Sequence, residues 1–171
     1  MSEESPTRNH SAVDRSTETD EPTITPAVVL TAMGGGLVGT VLMLPILVGI
    51  PAALDLFVTD PIVRFAGIAA FFGYEPTLAL GVALFGVGGV VVLPLTFVVV
   101  GGFLPPESPR YLRGASFATL YWVGFVPAFW PDGSVLVVAA YLVFSLVAHW
   151  VYGLSLGVIL ERLQTIPQHQ V

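Results

Sequence analysis

From residue 26 onward the chain is a succession of long apolar runs separated by short polar breaks. A membrane-spanning helix needs about 20 predominantly apolar residues, and four runs reach that length, at about 26–49, 77–104, 111–130 and 134–163. The first two carry no charge, the third only Arg113 near its start, and the fourth only Glu161 and Arg162 at its end. The third is the most dilute, with Ser116, Thr119, Tyr121, Gly124 and Pro127 inside it. None alternates apolar with polar over about ten residues, so a transmembrane β-barrel does not fit. Helices, which satisfy their own backbone groups away from water, are the natural spanning form.

The breaks define the connections. Between the first two runs, Asp60-Pro61 reads as an N-cap followed by proline at the first helical position, and Gly73 as a stop. The stretch Ile62–Phe72, apolar apart from Arg64, is too short to span. A helix lying in the membrane interface suits it better than a re-entrant piece, because Arg64 then stays in water. Pro105-Pro106-Glu107-Ser108-Pro109 breaks the chain between runs two and three, and Pro131-Asp132-Gly133 is a tight turn between runs three and four. The last two helices should therefore form an antiparallel hairpin. The expected fold is all-α: a polytopic, four-helix transmembrane bundle over 26–164, with a disordered tail at 1–25 and a short tail at 165–171.

Composition sharpens this picture. Apolar residues make up 54% of the 171-residue chain and charged residues 11%, against roughly a quarter charged in a soluble domain. Residues 1–25 hold six of the twelve acids, in a Ser-, Thr- and Pro-rich setting unable to bury a core. They contain no apolar run, so no cleavable signal peptide is expected. The net charge is −6 and there is no lysine, a composition of halophilic type that also excludes nucleic-acid binding. Absence of cysteine excludes disulfides and thiol chemistry. Arg15, Arg110, Arg113 and Arg162, with Arg8 further out, fall on one side of the four spans and only Arg64 on the other. The positive-inside rule then puts both termini in the cytoplasm of a multi-pass plasma-membrane protein, with Phe129 and Trp130 at the outer interface.

Candidate chemistry is sparse. Helices in lipid pack through small residues. Gly35 and Gly39 form a GxxxG pair on the first span, Gly153 and Gly157 another on the fourth, and Gly114 with Ala118 a weaker one on the third. These rows serve the chain's own bundle, or a dimer or a partner's helices. Pro45, Pro94 and Pro127 each fall within a span and free a backbone carbonyl. They shape the bundle or line a pathway. His149 lies near the middle of the fourth span, where an ionisable side chain is a candidate functional group. Ser145, His149, Gly153 and Gly157 follow one another at four-residue spacing on one helix face. Tyr121 and Thr40, at similar depth, are candidate hydrogen-bond partners of the imidazole. The histidine acts as interhelical glue, as a metal or haem ligand, or as a proton relay. A bis-histidine haem would need a second chain, since His10 and His169 lie in the tails, and Met33 and Met43 are the only soft ligands on the first span. No catalytic constellation, P-loop or dinucleotide fingerprint is present, so no enzyme activity and no cofactor are expected.

The run Ala148-His149-Trp150-Val151-Tyr152-Gly153-Leu154-Ser155-Leu156-Gly157, with Gly35…Gly39-Thr40…Met43, resembles an uncharacterised family of small four-helix membrane proteins from haloarchaea. Some of its members carry names linking them to cytochrome oxidase subunits. The resemblance covers roughly residues 27–163 and implies a plasma membrane and a respiratory neighbourhood, not oxidase activity.

The expectation is thus a non-catalytic accessory or assembly subunit of a larger membrane complex, in contact with lipid and with other membrane subunits or itself. A homo-oligomeric transporter or channel is the alternative, and a haem- or metal-binding protein using His149 a third. Orientation has a direct check. With no native cysteine, Ser108→Cys should react with an impermeant maleimide only from the cytoplasmic face; labelling from outside alone would invert the topology.

Overall fold

The computed structural model describes residues 24–164, which are helical with no strand among them. The expected tails at 1–25 and 165–171 lie almost wholly outside this range. Five helices follow in order: α1 (Pro26–Ala53), α2 (Asp60–Ala66, prolonged by a 3₁₀ turn over Gly67–Phe72), α3 (Leu78–Phe103), α4 (Leu112–Phe125) and α5 (Val135–Leu163). Three of them, α1, α3 and α5, are long and apolar enough to cross a membrane. At 1.5 Å per residue they extend about 39–44 Å, past a hydrocarbon layer of about 30 Å. Their outward faces carry Leu37, Val41, Val99, Val143 and Val147, all exposed. Apolar surface on that scale belongs in lipid.

The third expected span differs most from expectation. Its α-helix stops at Phe125: Val126 keeps helical dihedrals and bonds Trp122 O, but Pro127 has no N–H to continue the ladder. At 14 residues α4 is too short to cross by itself. Pro45 and Pro94 do not stop their helices. Nor does Pro51 stop α1: a single π-helical turn ends two residues before Pro51 in α1 (Pro45–Gly49) and two before Pro94 in α3 (Gly88–Val92).

Helix ends follow local chemistry. Thr25, Thr77 and Ser134 accept hydrogen bonds from the backbone N–H three residues on, at 3.3, 3.2 and 3.4 Å. The cap of α2 is Thr59, not Asp60, and it forms no side-chain cap bond. Asp60 instead sits in the first turn, where a negative charge suits the helix dipole. Gly73 ends α2 at φ 82°, with Gly73 N–H on Ala70 O and Tyr74 N–H on Ala69 O. Asp55 does the same for α1 at φ 57°, a conformation that aspartate tolerates better than most side chains. Its N–H bonds Ala52 O, and Leu56 N–H bonds Pro51 O.

The four long elements run antiparallel to their sequence neighbours. α1 packs along α5, with Thr31 near Gln164 and Gly39 against Tyr152. α4 packs along α5, with Tyr111 at the level of Gly157, Gly114 at Gly153 and Val126 at Tyr141. The bundle has a terminal end, carrying Pro26 and Leu163, and a turn end, carrying α2 and the Asp132 turn. α2 is fastened at the turn end by Arg64, which pairs with Asp132 Oδ2 at 2.8 Å and also donates to Trp130 O. At the terminal end, buried Arg113 donates from Nε to Pro106 O (3.1 Å) and from Nη1 to Gly102 O (3.2 Å). A cation thereby meets the negative end of α3.

The glycine rows are occupied by this chain itself. Gly35 receives Leu156 and Ile159, Gly39 receives Tyr152, and Gly153 and Gly157 lie on the backbone of Gly114 and Tyr111. Ala at Gly114 would drive its methyl into Gly153 O, whereas Gly34 faces open space. Gly114→Ala should cost about 1–3 kcal/mol through forced separation of α4 and α5. Gly34→Ala should stay within about 0.5 kcal/mol. Detergent unfolding followed by circular dichroism compares them, and equal stabilities would contradict the close approach.

Candidate functional site

The two π turns divide the bundle. Toward the terminal end packing is close: Ala32, Phe97, Phe117, Leu156 and Leu160 are buried, and Gly36 sits under Pro94. Toward the turn end the helices part around a cavity of about 500 Å³. α1 contributes Met43 through Pro51 to its wall, α3 Val82 through Leu93, α4 Tyr121 and Phe125, and α5 Val137 through Tyr152, with Phe65 of α2 on the turn side. Phe65 stacks on Phe129 at 4.7 Å between centroids, and Phe129 meets Phe85 edge-on at 6.1 Å. Phe129 is thus part of an aromatic cover at the turn end.

His149 lines the cavity. Its Nδ1 lies 2.7 Å from the carbonyl oxygen of Ser145, one turn back. A carbonyl only accepts, so Nδ1 carries the proton and donates. The side chain of Ser145 is turned elsewhere. Its hydroxyl, buried, accepts from Trp122 Nε1 at 2.9 Å and sits 3.4 Å from Leu142 O. The expected row therefore splits: Ser145, Gly153 and Gly157 face α4, and His149 faces the cavity.

Neither expected partner bonds the imidazole among the described residues. Tyr121 lines the same cavity, but its ring is held by Phe117 (4.6 Å) and Phe125 (6.1 Å). Thr40 lies against Gly89 of α3, and its hydroxyl is buried with no hydrogen-bond partner among the described residues. Met43 shares the cavity with His149, whereas Met33 is not in its lining. No group of three or more His, Asp or Glu converges among the described residues.

Sequence reasoning missed Tyr152. In the π turn of α3, Leu93 N–H reaches back five residues to Gly88 O. The next donor in that register, toward Gly89 O, would be residue 94, a proline with no N–H. Tyr152, almost fully buried, donates its hydroxyl to Gly89 O at 2.7 Å. A signal existed: Pro94 stands five residues after a small residue, and an in-span tyrosine can reach such a carbonyl. Tyr141 acts likewise, donating to Val126 O at 3.1 Å beyond the end of α4. Trp150 Nε1 donates to Thr119 Oγ1 at 2.9 Å, adding a second indole bond to the α4–α5 seam.

The arrangement can hold an apolar molecule and present one ring nitrogen to it. It offers no paired acid and base and no activated nucleophile.

A family model for the family of unknown function DUF6789 matches residues 26–171, and the chain belongs to that family. No curated protein and no solved structure matches it.

Removing the Tyr152 hydroxyl should leave Gly89 O unpaired, so Tyr152→Phe should cost about 1–3 kcal/mol. In a Pro94→Ala background residue 94 regains its N–H, and the same change should cost less than about 0.5 kcal/mol. A double-mutant cycle in detergent measures this. Additive costs would show that the tyrosine serves some other partner.

Proposed function

We propose that this member of DUF6789 is a non-catalytic, four-span membrane protein that holds an apolar, membrane-soluble molecule between its helices. The observation that carries the reading is the cavity: about 500 Å³, apolar over nearly all its lining, and bordered by residues of every helix of the bundle. Ligand sites typically have volumes of about 300–1,000 Å³, with mostly apolar walls and a few polar groups.

A fourth crossing by α4 is supported by its course beside α5. From Tyr111 to Trp130 it keeps pace with α5 from Gly157 to Tyr141, so the segment traverses the same layer although its α-helix ends early. An interfacial position of α2 is supported by Phe71 and Phe72 of its 3₁₀ turn, 91% and 78% exposed, and by the exposed Arg64–Asp132 pair. A cytoplasmic terminal end is supported by Arg110, Arg113 and Arg162, against Arg64 alone at the turn end.

An accessory role in a larger complex fits this reading. The cavity brings no acid–base pair of its own, so a bound molecule would be used by a partner. The glycine rows that first suggested a docking seam are filled internally, so they do not support a partner helix. Transport is favoured by one observation, the π turns of α1 and α3 at the cavity wall, since such turns recur at functional sites. The apolar lining confines that support to apolar cargo, because it cannot replace an ion's water.

Purification from native membranes in mild detergent, followed by organic extraction and mass spectrometry, tests the proposal. One apolar species should be enriched at roughly stoichiometric level and lost from Leu47→Trp, which fills the cavity. Identical extracts, both matching bulk lipid, would contradict it.

A further inference from the structure

We infer that the cavity selects molecules carrying a hydroxyl donor, and that His149 Nε2 is the group that receives it. The inference rests on reading the cavity as a binding site and adds the chemistry of its ligand. The Ser145 carbonyl at 2.7 Å fixes the proton on Nδ1. In a neutral imidazole the other nitrogen is then an acceptor. The doubly protonated ring would place a charge in an apolar cavity without a carboxylate, since no Asp or Glu lines it. Nε2 has no hydrogen-bond partner among the described residues, and the ring lies in the cavity wall.

The other polar groups of the lining are committed. The Tyr152 hydroxyl donates to Gly89 O, the Tyr141 hydroxyl to Val126 O, and the Trp122 indole to Ser145 Oγ. Tyr121 alone keeps a phenol without a hydrogen-bond partner among the described residues, and it is a second group able to meet the polar end of the ligand. A pure hydrocarbon would leave Nε2 unpaired in an apolar space, which is costly. A ketone, ether or ester offers the nitrogen only lone pairs. An alcohol or phenol with an apolar body fills the volume and supplies the missing proton. The ligand class is therefore a lipophilic alcohol or phenol, the hydroxyl hydrogen-bonded to His149 and the body among Leu47, Phe85 and Phe144.

A matched pair of probes tests this: 4-nonylphenol and its methyl ether, 4-nonylanisole, titrated calorimetrically into the full chain in detergent. The phenol should bind about three- to tenfold more tightly than the ether, the worth of one hydrogen bond. The ratio should fall to about one in His149→Phe, and Leu47→Trp should weaken both probes. Equal affinity of the two probes for the wild type overturns the hydroxyl inference and leaves the cavity reading standing. Binding of neither, or binding of both that Leu47→Trp does not weaken, overturns the cavity reading. Should His149→Phe not fold, ¹⁵N-histidine spectra of the wild type decide. A proton on Nδ1, and an Nε2 resonance that moves with the phenol but not with the ether, support the inference. A proton on Nε2 overturns it.

Discussion

The structure depends on one constraint: where no water reaches, each backbone carbonyl that a proline orphans must find a donor inside the chain. The in-span prolines meet it differently. Pro127 ends α4, and Tyr141 takes a carbonyl there. Pro51 and Pro94 each follow a π turn, and at Pro94 the hydroxyl of Tyr152 occupies the freed Gly89 carbonyl. That bond joins α3 to α5. Because Tyr152 also fills the space over Gly39 of α1, one side chain fixes three helices at one level. Packing is close on the terminal side of that level, and the helices part on the other.

Such an arrangement suits a medium that provides no hydrophobic drive between helices. Small residues let backbones touch, and polar side chains bond across them for about 0.6 kcal/mol each on average. The α4–α5 seam uses both devices, with Gly114 on Gly153 and the indoles of Trp122 and Trp150 on Ser145 and Thr119. The cavity is what remains where neither device operates. Its aromatic cover, Phe65 against Phe129, is held over it by the Arg64–Asp132 pair. That pair is exposed, and a surface pair contributes little to stability. Its consequence is positional.

Much of this was legible from residue order. Length and apolarity alone mark α1, α3 and α5, and Gly73 marks the end of α2 because only a residue at ease with positive φ stops a helix in that way. The stop of α4 at Phe125 was less legible. Hydropathy runs on to Trp130, while the backbone obeys Pro127. The cap of α2 was misplaced by one residue because Asp60-Pro61 satisfies a local rule that the chain does not use. At the site, His149 was visible as a lone ionisable residue, but its direction was not. Ser145, His149 and Gly153 share a row by spacing, yet 100° per residue drifts over two turns, and the Ser145 carbonyl turns the ring toward the cavity. The cavity itself leaves no mark in sequence, since it arises where two π turns and one tyrosine set the spacing of helices far apart in the chain.

The central claim is that the bundle is close-packed on one side of the Tyr152–Gly89 bond and open on the other. Xenon enters apolar cavities and not close-packed cores, so diffraction from xenon-pressurised crystals tests it most directly. Xenon is expected among Met43, Leu47, Phe85 and Phe144, beside His149, and not among Ala32, Phe97 and Leu156. Absence of xenon from the first place, or its presence in the second, would contradict it.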